Sequence, residues 1–64
     1  MIGKNIALWR KARELNQDTV AEFCGVNRAT ISKWESGEFA PQADKLPLLA
    51  KALGCTIDDL FKED

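Results

Sequence analysis

Apolar residues recur at three- and four-residue intervals through most of this 64-residue chain, and no stretch alternates strictly between apolar and polar. The spacing predicts helices and no strands. Ile6 and Trp9, with Ala12 and Leu15 beyond them, form the inner side of a first helix over about residues 3–13. Val20, Ala21 and Cys24 mark a second over 17–24, and Ile31 and Trp34 a third over 28–36. Leu46, Leu49, Ala50 and Leu53 line a fourth, and a short fifth runs from Ile57 to about Phe61. The pattern describes one all-α domain of five helices over residues 1–64, without repeats or low-complexity segments.

The residues between the stripes have the chemistry of helix ends. Asn16 and Asn27 stand where a side-chain oxygen can satisfy the open N–H groups of the second and third helices. Asp18 falls in a first turn, where negative charge suits the helix dipole. Thr56 is placed to cap the fifth helix, with Asp58 and Asp59 following it. Gly25, Gly37 and Gly54 each follow a helical stretch. Glu14 lies just before Leu15-Asn16, where the chain must turn, and is expected in a left-handed conformation. Residues 37–43 read as a loop. Pro47 lacks an N–H and belongs in a first turn, so Asp44 as cap would put it at the third helical position.

Composition narrows the function classes. Apolar residues make up 45% and charged residues 30%, a globular balance. No apolar run approaches the roughly 20 residues of a membrane span, and the N-terminus has no signal-peptide apolar region, so a cytoplasmic location without membrane association is expected. Cys24 and Cys55 lie far apart and there is no histidine, so no four-ligand zinc set exists; the cysteines read as small buried hydrophobes. Adjacent helical residues do not converge, so Asp58 and Asp59 read as helix-start charges rather than a catalytic pair. With no phosphate-binding glycine loop and no serine–base arrangement, neither an enzyme nor a cofactor is expected.

Net charge is −1, but it is unevenly spread. Residues 1–34 hold six bases (Lys4, Arg10, Lys11, Arg13, Arg28, Lys33) and three acids, whereas residues 35–64 hold three bases and seven acids. An asymmetric field of this kind can still dock one basic face on phosphates. The second and third stripes are joined by Gly25-Val26-Asn27, and two helices joined by a short glycine-containing turn are the pattern of a helix-turn-helix, here over about residues 17–36. The third helix carries Arg28, Ala29, Ser32 and Lys33 on one face and Ile31 and Trp34 on another. Trp9 and Trp34 share helical spacing with Ile6 and Ile31 and are assigned to the core. Phe23 and Phe39 fit either a partner surface or local packing.

Taken in order, Leu15-Asn16-Gln17, Val20-Ala21, Gly25 through Glu35, Gly37, Pro41, Leu49 through Gly54 and Ile57 through Phe61 resemble the lambda-repressor-like, Cro-type (XRE) helix-turn-helix family of bacterial and phage transcription regulators. The match covers about residues 3–61. Glu14 stands where the family often has glycine, and Pro47 replaces a usual aliphatic residue.

The resemblance implies sequence-specific binding of duplex operator DNA by a repressor-like regulator, with the third helix in the major groove. It places Arg28, Ala29 and Lys33 at base edges and Asn27, Thr30 and Ser32 near the sugar-phosphate rim. Gln17 would bond a phosphate and brace the third helix, with Asn16 beside it on the backbone. Phe39, Ala40 and Gln42 would offer backbone N–H groups to phosphate, and Arg10 and Glu35 would form an internal ion pair. A homodimer is expected, with Cys55, Ile57, Leu60, Phe61 and the loop near Pro41 as its surface; the free domain would pair only on DNA. The same fold also allows a protein-interaction module, antitoxin-like or anti-repressor-binding.

Overall fold

The computed structural model describes residues 2–63 and holds five α-helices, with Asn16, Asn27 and Thr56 capping the starts of the second, third and fifth. They are α1 (Ile2–Ala12), α2 (Gln17–Cys24), α3 (Arg28–Ser36), α4 (Leu46–Leu53) and α5 (Ile57–Phe61), with a 3-10 turn at Ala43–Lys45 and no strand among the described residues. Asn16 Oδ1 accepts from the Thr19 N–H at 2.8 Å and from its hydroxyl at 2.9 Å. Asn27 repeats the device on Thr30, at 2.9 and 2.8 Å. Each asparagine thus ties down the third residue of its helix twice. Thr56 and Asp59 form a reciprocal capping box on α5. The Thr56 backbone N–H, and then its hydroxyl, hold the Asp59 carboxyl below its usual range.

The start of α4 departs from the sequence reading. Asp44 does not cap it; it lies inside the 3-10 turn, where Lys45 N–H donates to Gln42 O at 2.9 Å. Helical backbone therefore already precedes α4, and the extended geometry that an aspartate cap needs is missing. The helix begins at Leu46, and Pro47 takes its second position, still within the turn whose N–H groups have no helical partner.

Ile6 of α1, Val20 and Cys24 of α2, Ile31 and Trp34 of α3, and Leu49 and Leu53 of α4 share one buried core. α3 packs on both α1 and α2, α4 on α2, and α5 closes the end against α1 and α4. Leu60 is fully buried in this core. It is therefore removed from the apolar surface expected of the C-terminal segment, which retains Ile57 and Phe61. Trp9 is only partly buried, at the edge of the core, with the Arg13 guanidinium 5.5 Å from its ring centroid. Ala12 is exposed. Both cysteines are free; burial pushes the thiols of Cys24 and Cys55 above their usual values.

Two long-range contacts satisfy helix C-termini. Arg13 donates to Leu53 O at 3.1 Å and Gly54 O at 2.9 Å, placing a cation on the last carbonyls of α4. Asn5 donates to Leu60 O and Lys62 O, tying α1 to the end of α5. No described helix is long and apolar enough to cross a membrane.

Backbone geometry sets opposite expectations at two positions. Gly3 is buried where α1 crosses α3, and a Cβ there would collide with the Trp34 and Glu35 carbonyl oxygens. Glu14 has φ 57, the left-handed conformation that lets the Leu15 N–H close α1 on Arg10 O at 3.0 Å. Gly3→Ala should therefore lower stability by about 1–3 kcal/mol despite alanine's better helix propensity. Glu14→Gly should be neutral or stabilise by up to about 1 kcal/mol. Thermal or urea unfolding of the two variants checks both signs; a Gly3→Ala protein as stable as the parent would contradict the close-approach argument.

Candidate nucleic-acid interface

The turn between α2 and α3 is short because Gly25 takes φ 72, and its N–H and that of Val26 fold back on the end of α2. Val26 is partly buried, and Asn27 at once caps α3. The second helix therefore leaves the turn with its register fixed at Arg28. Burial of Ile31 and Trp34 then decides which way α3 faces. Arg28, Ala29, Ser32 and Lys33 are all exposed on the opposite side.

Gln17, Asn27, Arg28, Ala29 and Ser32 border one open cleft of about 560 Å3, which joins the start of α2 to the first turn of α3. Asn16 is exposed beside Gln17 and its oxygen is spent on Thr19, leaving its amide donors free to face outward. Thr30 is partly buried, with its hydroxyl committed to Asn27. It lines a separate, mainly apolar groove of about 440 Å3 with Trp34, Phe39, Ala40 and Gln42. Lys33 is exposed one position beyond Ser32.

The cleft is braced from behind. Arg10 Nε donates to Glu35 Oε2 at 2.6 Å and Arg10 Nη2 to Glu35 Oε1 at 3.1 Å. The third donor, Arg10 Nη1, reaches Leu15 O at 2.9 Å. Gln17 Nε2 adds a bond to Glu35 Oε1 at 3.1 Å. One carboxylate thus holds α1, the start of α2 and the end of α3. The Gln17 amide has a second N–H left for an outside acceptor.

Two pairings were not legible in the sequence, Asp18 with Arg28 and Phe39 with Lys33. Asp18 lies beside Arg28, its Oδ1 3.7 Å from Arg28 Nε, with both side chains well exposed. An exposed pair of this kind contributes little stability, but it biases where the guanidinium rests. Phe39 packs locally, its ring 5.2 Å from Lys33 Nζ, and its N–H donates to Lys33 O at 3.2 Å. That N–H is consequently not open to a phosphate. The N–H groups of Ala40 and Gln42, and that of Ala43 after them, have no internal partner among the described residues. Phe23 stays about half exposed on α2.

A family model described as helix-turn-helix matches residues 6–60, and the chain belongs to that family, in its lambda-repressor-like, Cro-type branch of transcription regulators. The chain is 36% identical over its full length to the repressor protein C2 of Salmonella phage P22 and covers 30% of that protein. It is 41% identical over 52 residues, 81% of its length, to the transcriptional activator BcrR of Enterococcus faecalis, of which it covers 26%. It therefore spans under a third of either relative. A crystal structure of the P22 c2 repressor in complex with a synthetic operator superposes with a TM-score of 0.92 at 36% identity, covering all of this chain and 97% of that one. The restriction-modification controller protein C.AhdI of Aeromonas hydrophila gives 0.87 at 28% identity, covering 94% and 87%.

The Arg10–Glu35 pair supplies a direct test of the brace. Both side chains are nearly out of solvent, at 13% and 10% exposure, so removing one leaves a poorly solvated charge. Arg10→Met or Glu35→Gln should each cost about 3 kcal/mol. The double variant should cost clearly less than the two added together. A double-mutant cycle with no coupling would contradict the brace.

Proposed function

We propose that the chain binds duplex DNA with α3 in the major groove and works as a repressor-like transcription regulator, a binding module rather than a catalyst, in the cytoplasm of a bacterial cell. The observation that carries this reading is the division of α3: Ile31 and Trp34 are buried while Arg28, Ala29, Ser32 and Lys33 stand clear of the protein. The likeness to a repressor structure in complex with a synthetic operator supports it.

The major groove, about 12 Å wide, admits a helix. Arg28 and Lys33 are five residues apart, about 7.5 Å along the axis. That separation spans roughly two base-pair steps of about 3.4 Å. Arg28 can bond guanine O6 and N7 together, Lys33 offers single donors to acceptors further along, and the Ala29 methyl suits a thymine methyl. Asn16, Gln17, Asn27 and Ser32, with the Ala40 and Gln42 N–H groups, would hold phosphates on either side and so set the register. One copy reads few base pairs, so a second copy on an adjoining half-site completes the operator.

Arg28 and Gln17 have separable parts. Arg28→Ala should cost about 1–3 kcal/mol on the best duplex, with the loss concentrated at one base pair. Gln17→Ala should weaken every duplex by a similar factor and leave the order of preference intact. Titration against single-base operator variants at one salt concentration measures both, and sedimentation of the saturated complex should count two chains. Uniform loss from Arg28→Ala with altered preference from Gln17→Ala would overturn the assignment of the reading face. Absence of any duplex binding would turn the reading toward a protein-interaction module.

A further inference from the structure

We propose that Phe39 is a positioning residue for Lys33, holding the lysine ammonium at the edge of α3 and thereby setting the chain's preference at one base pair. This rests on the DNA-binding reading above. Phe39 is 54% exposed and belongs to no buried cluster, so apolar burial does not account for it. Beside the apolar groove that it lines, its ring–cation contact and its backbone hydrogen bond both go to one residue. The ring faces Lys33 Nζ at 5.2 Å, and the Phe39 N–H donates to Lys33 O at 3.2 Å. The intervening turn is fastened to the same carbonyl: Ser36 Oγ donates to Lys33 O at 3.1 Å and accepts from the Glu38 N–H at 3.3 Å. The loop after α3 is thus folded back onto Lys33 through backbone and ring together.

The chemistry suits a pre-set donor. A cation is drawn to the face of an aromatic ring, while its N–H groups directed away from the ring remain available to acceptors. A lysine on a flexible four-carbon stem loses much rotamer freedom when it bonds a base. A ring that already restricts the stem reduces that loss, and it does so for one direction of approach. The ring would therefore sharpen discrimination at the base pair Lys33 faces and leave the remaining positions unaffected.

The test uses the whole chain and a duplex that it selects from a random pool. Phe39→Leu keeps apolar bulk without the ring; Phe39→Tyr keeps the ring. Phe39→Leu should reduce discrimination about 2- to 5-fold at the one base pair that Lys33→Ala also affects, the size expected of an exposed cation–π contact. Phe39→Tyr should restore it, and Phe39→Leu added to Lys33→Ala should bring no further loss there. In the free protein, upfield ring-current shifts of the Lys33 Cε protons should vanish in Phe39→Leu and persist in Phe39→Tyr. Equal weakening at all positions, or additive losses in the double variant, would overturn the positioning role while leaving the DNA-binding reading intact. If the parent chain enriches no duplex, the reading beneath falls and the proposal with it.

Discussion

A single carboxylate, that of Glu35, fixes how the three N-terminal helices meet. It receives two bonds from Arg10 and one from Gln17, while the third donor of Arg10 closes the turn before α2 on Leu15 O. Apolar packing between α1 and α3 is non-directional and would tolerate some rotation of one helix on the other. A planar guanidinium against a carboxylate does not, because both parallel bonds are lost together. The start of α2 is thereby held at a set distance from α3, with Gln17 on the rim of the cleft that contains Arg28. Gly3 completes the constraint by letting the α1 backbone come up to the last turn of α3, close to where Glu35 departs.

This brace changes the meaning of the charge pattern. The N-terminal half of the chain is rich in bases, yet two of them are engaged by other parts of the protein. Arg10 serves Glu35, and Arg13 serves the C-terminus of α4 while lying over Trp9. Arg28 and Lys33 are the cations that α3 itself presents, and each is steered by a neighbour, Asp18 or Phe39. A surface built this way has few ionic contacts to offer, and the neighbouring carboxylate of Asp18 opposes indiscriminate attraction to phosphate. In the proposed DNA complex, affinity would depend strongly on the fit of a small number of side chains.

What the sequence made legible was local. Asn16, Asn27 and Thr56 cap through residues three positions away, so their spacing carried the whole signal. Glu14 announced its left-handed conformation by its place before a turn. The exposed face of α3 followed from periodicity alone. The elements that escaped depend on distant partners or on competition between local states. Arg13 meets carbonyls 40 and 41 positions away, and nothing near it in the chain marks that role. Gly3 reads as a poor helix former unless the approach of α3 is known. Leu60 looked like spare apolar surface because a five-residue helix gives too little periodicity to tell its inner side from its outer side. At Asp44 a capping residue lost to a 3-10 turn already under way.

The most direct measurement of the central claim is an amide footprint: the isotope-labelled chain titrated with the duplex it enriches from a random pool, observed by NMR. Shifts should concentrate at Asn16 and Gln17, the first turns of α3, and Ala40 and Gln42, with α5 and the outer side of α1 undisturbed. A footprint centred on Ile57 and Phe61, with α3 silent, would contradict the account.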